Sequence, residues 1–559
     1  MHKILYAVVA AGAMIAGSSP AVAADLPADT VAYLRQAVAG GTYVGVVVGL
    51  VEDGQVTIQS FGVADKASGK APDADTVWEI GSITKTFTGT LLAGEVVGGK
   101  MTLDDPVQTY LPAGVTMPQV GARPMTLGDL ATHLSGLPRL PASFAPKNPA
   151  DPYADIDEAK LWDTVSTLKL TRAPGETSEY SNFGFGLLGA IVAREAGEPY
   201  RKFVADRVFK PLHMRLSDVG SNDAIRPHLA QGYDAAGNPV SHWTFQAVPG
   251  LGGIYSSAND MLAYLRANMT AAAGTGPATP LQKAMALALK PRAAMGKGRI
   301  GLAWISSPDV KSFAHDGGTY GFSSFIGFTA DGKRGAVIFA NTLAVETTSA
   351  IGAHLVDPTQ PLPPLLIEMR LSPEALAHYA GRYSFSPELQ MDVTQSDGRI
   401  MIGLPGQPAT PLFASAPDHF YMKVTPIRID FERDQGGKVV RLVSHQSGQR
   451  YRAPRLGADG KPVAQPARIA LNAGQLDGYV GRYQLTPQAV LTIARDGDRL
   501  MAHTSTQPTP APLFLERPDH FEFDLLDVDL DFERDAGGKV IATKARIGAE
   551  QLRAPRLEP

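Results

Sequence analysis

The 559-residue chain contains no cysteine. That absence removes disulfides, thiolate nucleophiles and cysteine-ligated metals together, so stability has to come from core burial. An excess of charge of one sign is also missing. The chain carries 51 Lys and Arg against 55 Asp and Glu, a formal net charge of -4, with no long run of either sign. Nucleic acid demands a concentrated basic face, so no nucleic-acid partner is expected. Beyond the first two dozen residues no segment is long and apolar enough to cross a bilayer. At 44% apolar and 19% charged residues, the composition is that of ordinary globular protein. The length suits roughly three or four domains.

The N-terminus is informative. His2 and Lys3 precede an apolar run from Ile4 to Ile15, then Gly17, Ser18, Ser19, Pro20 and the small residues Ala21-Val22-Ala23-Ala24. This is the layout of a secretory signal peptide, so residues 1–24 are expected to be removed. The mature protein is expected to be periplasmic or secreted, without a stable membrane anchor.

The C-terminal part is duplicated. Tyr379-Ala-Gly-Arg-Tyr383 recurs as Tyr479-Val-Gly-Arg-Tyr483, and Pro417-Asp-His-Phe420 as Pro518-Asp-His-Phe521. Asp430-Phe-Glu-Arg-Asp434 recurs as Asp531-Phe-Glu-Arg-Asp535, and Arg452-Ala-Pro-Arg-Leu456 as Arg553-Ala-Pro-Arg-Leu557. Alternation at Leu389, Met391 and Val393, an Asp397-Gly398 turn, then Ile400, Ile402 and Leu404 predict β-hairpins. Each copy reads as a small antiparallel barrel or sandwich. The expected division is 25–355 for a first domain, 356–372 as linker, 373–456 and 471–559 as the repeats, and 457–470 as a second linker. His419 and His520 are expected to maintain the shared fold.

Residues 25–355 carry the chemistry. A β-branched strand from Val44 to Val51 opens the segment, a helical middle follows, and strands return at Ile300–Ile305, Phe322–Phe328 and Gly335–Phe339. This order predicts one sheet built from both ends of the domain, with helices inserted between.

Three short motifs stand out. Ser82-Ile-Thr-Lys85 puts a hydroxyl and an ammonium on one helical face. Gly81 and Ser82 suit a helix start, where free N–H groups favour a developing oxyanion. A second S-x-x-K, Ser166-Thr-Leu-Lys169, lies late in a predicted helix and reads as incidental. Tyr180-Ser-Asn182 opens an apolar helix. A neighbouring lysine cation would lower the phenol's pKa or share one proton with it, and Asn182 is placed to hold Lys85 and a substrate amide. His315-Asp316-Gly317-Gly318 sits on an edge-like strand whose glycines admit a substrate backbone, with the Gly318 N–H as second oxyanion donor. No metal-ligand spacing accompanies His315, so neither metal nor cofactor is expected.

The order S-x-x-K, Y-x-N, H-x-G resembles the penicillin-recognising serine hydrolases, and more narrowly the group of class C β-lactamases, D-Ala-D-Ala carboxypeptidases, D-aminopeptidases and related esterases. Met125-Thr-Leu-Gly-Asp-Leu-Ala-Thr-His-Leu-Ser-Gly-Leu-Pro138 and Gly252-Gly-Ile-Tyr-Ser-Ser-Ala-Asn-Asp-Met261 share in the likeness. The resemblance implies an α+β domain, an antiparallel sheet flanked by helices, followed by two all-β antiparallel barrels like those appended to D-aminopeptidases. It also implies an acyl-enzyme on Ser82, with Lys85 and Tyr180 moving its proton, and a small peptide, amide, ester or β-lactam as substrate. Class C β-lactamases carry Lys-Thr-Gly where this chain has His315-Asp316-Gly317, and the lysine and threonine of that pattern engage a substrate carboxylate. An Asp316 pointing into the site would repel such a group, so a free amine or an uncharged end is the expected preference. A non-catalytic penicillin-binding sensor is the alternative outside enzymes.

Overall fold

In the computed structural model the described residues are 25–559, apart from 387–388, 405–408, 426, 447–448, 464–468, 470, 506, 524–527, 548–549 and 558–559. The expected signal peptide lies outside them. Among the described residues no helix is long and apolar enough to cross a membrane.

The first domain is built on one eight-stranded antiparallel sheet. Its elements in chain order are α1 (Ala28–Ala39), β1 (Gly45–Glu52), β2 (Gln55–Gly62), α2 (Thr84–Val97), α3 (Asn182–Ala196), α4 (Ala258–Ala273), α5 (Pro280–Leu289), β3 (Ala293–Met295), β4 (Gly298–Ile300), β5 (Ile305–Ser306), β6 (Ser312–Gly318), β7 (Ser323–Thr329), β8 (Arg334–Ala340) and α6 (Val345–Val356), with shorter pieces between. The strand order β2-β1-β8-β7-β6-β5-β4-β3 joins both ends of the domain, with Val46 opposite Ala340 and Glu52 opposite Arg334. The predicted closure of the sheet by distant segments is therefore what forms.

The composition of β1 explains why. Its Val-Val-Val-Gly-Leu-Val run is apolar on both faces, and the pleat sends alternate side chains into two cores. Val47 and Val51 join the larger core with Phe87, Leu92, Leu188 and Leu265. Val46, Val48 and Leu50 join Leu34 of α1 and Ile351 and Leu355 of α6 on the opposite face. Full burial of each such side chain favours folding by about 1.5–3 kcal/mol, which holds helices against both sides of the sheet.

One strand expectation is corrected. Ile300–Ile305 is a tight hairpin, not a strand, with Ile305 paired to Ile300 and the Gly301 amide bonded to the Trp304 carbonyl at 2.8 Å. Ala303 adopts φ 74° in the bend. Burial of Leu302 and Trp304 in the larger core overrides the β propensity of the run.

Each C-terminal repeat is an eight-stranded antiparallel meander, from Gly381–Ser384 to Gln449–Pro454 and from Gly481–Thr486 to Glu550–Pro555. Bridges from Tyr383 to Arg455 and from Tyr483 to Arg556 bring first and last strands together, so both are nearly closed barrels rather than sandwiches. Asp397 and Gly398, with φ of 51° and 70°, form the two-residue hairpin turn that their order predicts. The duplicated residues do duplicated work. Tyr383 and Tyr483 each donate to the carbonyl of Tyr379 or Tyr479 at 2.7 Å, and Arg433 and Arg534 pair with Asp418 and Asp519. His419 and His520 bond Asp430 and Asp531 at 2.7 and 2.8 Å.

The Pro-rich stretch after α6 packs down: Leu362 and Leu365 cover the smaller core, and the Tyr421 hydroxyl donates to the Leu366 carbonyl at 3.0 Å. Lys423 reaches from the first barrel to the Gly41 carbonyl at 2.8 Å. The repeat makes a matched prediction about stability. Tyr383→Phe and Tyr483→Phe each remove one buried hydrogen bond and should each lower unfolding free energy by about 1 kcal/mol, read by denaturant titration. A cost at one position alone would show that the barrels do not rely on the same corner.

Candidate active site

Ser82 lies in a single 3-10 turn, Gly81–Ile83, that runs directly into α2. Lys85, one turn on, points back along the same face and its Nζ donates to Ser82 Oγ at 2.9 Å. The ammonium end is fully buried and its second contact is the Leu251 carbonyl at 2.6 Å. That carbonyl is fixed because residues 249–254 are strapped along α2. Thr88 donates to the Gly250 carbonyl at 2.7 Å, and the Ile254 amide donates to Thr84 Oγ1 at 3.1 Å.

No carboxylate pairs with Lys85 among the described residues. Burial pushes its pKa well below the ordinary value, the Arg139 guanidinium lowers it further, and Asp316 partly opposes them. In its uncharged form this amine is a proton acceptor for the serine hydroxyl.

Tyr180 stands immediately before the N-cap of α3. The cap, Ser181, accepts from the Gly184 amide at 2.9 Å and donates to the Pro138 carbonyl at 2.7 Å. Its own amide donates to His133 Nδ1 at 3.1 Å, and the His133 ring lies 4.4 Å from that of Tyr180. Lys85 Nζ sits 5.0 Å from the Tyr180 ring centre. Desolvation pushes the Tyr180 pKa up, and the adjacent Ser82 hydroxyl offsets only part of this. The expected lowering of the phenol by a lysine cation is thus reversed: desolvation disfavours the charged form of each group, the ammonium of Lys85 and the phenolate of Tyr180.

Two further expectations change. Asn182 does not hold Lys85. Its Nδ2 donates to the Tyr153 hydroxyl at 3.3 Å, while its Oδ1 is buried without a partner, which leaves an acceptor unsatisfied. Asp316 does not point into the cleft. Alternation along β6 sends His315 and Gly317 to the Ser82 side and Asp316 to the α6 side, where its Oδ2 accepts from Ser349 at 3.0 Å.

His315 is buried. Its Nδ1 lies 2.6 Å from the Asp316 carbonyl and must donate to it, which leaves Nε2 an acceptor without a partner. Burial is the largest influence on its pKa, held down at about 4, so the ring is neutral at neutral pH. The strand is edge-like where it matters, because β5 pairs only with Phe313 and Ala314.

Gly317 faces the nucleophile. A methyl group there would overlap the Ile80 carbonyl and stand 2.5 Å from Ser324 Oγ and 3.0 Å from the Ser82 amide. Ser324 Oγ holds the same Ile80 carbonyl at 2.8 Å. A methyl on Gly81 would stand 2.8 Å from the Gly318 amide nitrogen. The Ser82 and Gly318 amides are therefore brought to one corner of the cleft, as an oxyanion pair requires.

Sequence reasoning missed an aromatic wall. Tyr153 stacks on Phe245 with ring centres 5.2 Å apart, and Trp243 meets Tyr320 edge-on at 4.9 Å. Phe245 closes on Gly252, across from Gly81. The His242-Trp243-Thr244-Phe245 cluster was the available signal. The second S-x-x-K ends the helix Glu158–Thr167, where Ser166 Oγ accepts from the Thr116 amide at 3.4 Å.

Residues 31–358 match the β-lactamase family. The chain belongs to that family. It is 30% identical over 228 residues to the D-alanyl-D-alanine-carboxypeptidase/endopeptidase AmpH of Escherichia coli, covering 41% of this chain and 58% of that protein. It is 31% identical over 244 residues to a β-lactamase of Pseudomonas fluorescens, covering 43% of this chain and 63% of that protein. The alignments thus span less than two thirds of either relative. Among solved structures, a β-lactamase/D-alanine carboxypeptidase from Pseudomonas syringae aligns with 25% identity and a TM-score of 0.49, covering 56% of this chain and 93% of that one. The family match covers the α+β domain, and the two barrels follow it in the chain.

The placement of the Ser82 turn against β6 depends on close approach at Gly317. Gly317→Ala should lower kcat/KM by about a hundredfold, because a shift of the Ser82 turn by a fraction of an ångström to 1 Å spoils attack geometry. Circular dichroism should remain native. Unchanged kinetics would show that the turn and β6 are not coupled.

Proposed function

We propose that this protein is an exported acyl-enzyme hydrolase that cleaves peptides containing D-amino acids, releasing an amino acid or short peptide from the C-terminal side. The observation that carries the reading is the buried Lys85 amine, 2.9 Å from Ser82 Oγ and, among the described residues, without a carboxylate partner.

Ser82 Oγ attacks the scissile carbonyl as Lys85 Nζ takes its proton, and the Ser82 and Gly318 amides receive the oxyanion. The tetrahedral intermediate collapses when Tyr180 gives its phenolic proton to the departing amine and recovers one from Lys85. Water then attacks the ester with the same groups acting in reverse, returning the proton to Ser82. Asn182 Oδ1 accepts the substrate's backbone N–H, and the wall of Tyr153, Trp243, Phe245 and Tyr320 takes an apolar acyl-side group.

With Asp316 turned to α6, the ground for preferring a free amine at the substrate's end is gone. The likeness to AmpH, a carboxypeptidase/endopeptidase, supports peptide cleavage. The two barrels, resembling those of D-aminopeptidases, support a second reading in which the N-terminal D-residue is released. β-Lactam or ester hydrolysis and a penicillin-binding sensor share the same nucleophile but differ in turnover.

A fluorescent penicillin or fluorophosphonate should label the protein at Ser82, with no label on Ser82→Ala. Lys85→Ala and Tyr180→Phe should each lose about 10²- to 10⁴-fold in kcat/KM on a D-Ala-D-Ala peptide. Labelling without turnover of any amide or ester would favour the sensor. Acid should protonate the Lys85 amine and lower kcat/KM. Because burial depresses that pKa, the midpoint should lie well below the ordinary lysine value of 10.5. A profile governed by an unshifted lysine would remove Lys85 as base. The N-terminal sequence of exported protein should begin at Asp25; retention of residues 1–24 in an extracytoplasmic fraction would overturn the signal assignment.

A further inference from the structure

We propose that the second barrel carries a divalent-metal site at His520, Glu522 and Asp529, on its outer face against the first barrel, for a borderline ion such as zinc. The register of two strands, His520–Phe523 and Val528–Arg534, brings these residues together. His520 lies opposite Asp531 and Glu522 opposite Asp529, and the pleat puts all four side chains on one face. That face is the outer one, because Phe521, Leu530 and Phe532 at the alternate positions fill the barrel core. Polar groups on an outer face ordinarily stay in water, yet His520 and Asp529 are each only 6% exposed. The first barrel reaches this face: Arg452 on its last strand, itself buried, comes within 3.8 Å of Glu522 Oε2.

One nitrogen or oxygen atom from each of His520, Glu522 and Asp529 lies within 4.8 Å of the other two, and His520 Nε2 is 3.8 Å from Glu522 Oε1. Ligand atoms around a tetrahedral zinc sit about 3.4 Å apart at bonds of about 2.1 Å, so small side-chain rotations complete the set. Two carboxylates directly across a ladder repel each other, and burial sharpens the repulsion. Arginines answer one oxygen of each: Arg546 pairs with Asp529 Oδ2, and Arg452 stands behind Glu522 Oε2. Asp529 Oδ1 is buried with no partner, and a cation between the two carboxylates would satisfy it. The histidine is set for the same ion. Asp531 Oδ1 can only accept, so at 2.8 Å His520 Nδ1 donates to it, and Arg517 donates to the same oxygen at 3.3 Å. In the neutral ring this leaves the lone pair on Nε2. A carboxylate behind the far ring nitrogen is the usual support of a metal-bound histidine.

The duplication provides an internal comparison. At the positions matching Glu522, Asp529 and Arg546, the first barrel has Tyr421, Arg428 and His445. There Arg428 faces Tyr421 across the ladder, and Asp430 bridges His419 and His445 at 2.7 Å each. The histidine and its supporting aspartate are thus common to both copies, whereas the two facing carboxylates belong to the second alone. An imidazole with two carboxylates suits zinc better than magnesium or calcium, which prefer all-oxygen sets.

Metal titration reads this site apart from any hydrolysis. Full-length protein freed of metal with a chelator is titrated with zinc chloride by calorimetry. One ion per chain should bind with a Kd of about 10 µM or tighter, the neighbouring arginines holding the affinity below that of four-ligand structural sites. Glu522→Gln and Asp529→Asn should each weaken binding by about tenfold or more with circular dichroism unchanged. His419→Gln in the first barrel should leave binding as it is. Saturating zinc should raise the Tm of the wild-type protein and not that of Glu522→Gln. Absence of stoichiometric binding by the wild-type protein, binding unaffected by both substitutions, or calcium bound as tightly as zinc would overturn the site.

Discussion

A lysine amine held out of water, with no carboxylate paired to it among the described residues, is the constraint on which the site depends. Most buried lysines find a carboxylate, because a lone ammonium in low dielectric is costly. Lys85 finds a carbonyl and a hydroxyl instead, and each requires a piece of scaffold. The carbonyl exists because residues 249–254 are tied to threonines along α2. The hydroxyl is in reach because the Ser82 turn runs directly into α2, which sets Ser82 and Lys85 on one face. The same dryness that weakens the lysine as a cation strengthens Tyr180 as a phenol and keeps His315 neutral. One physical cause, desolvation, assigns three titratable groups their forms.

Backbone proximity is the second requirement. β6 can lie against the Ser82 turn only where Gly317 and Gly81 face each other's main chain. Side chains would hold the two amides apart. The sheet supplies stiffness for this contact: β6 is paired along its whole length with β7, and β7 with β8, while its other edge is left open beside the cleft.

The barrels show how local chemistry repeated in sequence repeats in structure. A tyrosine that bonds the carbonyl four residues back, an aspartate at positive φ and an arginine that grips it recur at matching positions. These are short-range devices, so matching letters suffice to recognise them. Strand alternation likewise predicted hairpins, and the turn residues marked their ends.

What the sequence by itself determined are properties carried by neighbours along the chain. The absence of disulfides, the duplication, the i,i+3 meeting of Ser82 with Lys85, the cap that sets Tyr180 before α3, and the three-motif order that places the chain in its family are all of this kind. The tertiary structure alone decided which face of β6 each residue presents, turning Asp316 to Ser349 and His315 to the cleft. It alone gave Lys85 the Leu251 carbonyl instead of Asn182, folded Ile300–Ile305 into a bend, and assembled the aromatic wall. These outcomes follow from burial and from contacts between segments more than thirty residues apart, and neither is encoded in any local pattern of residues.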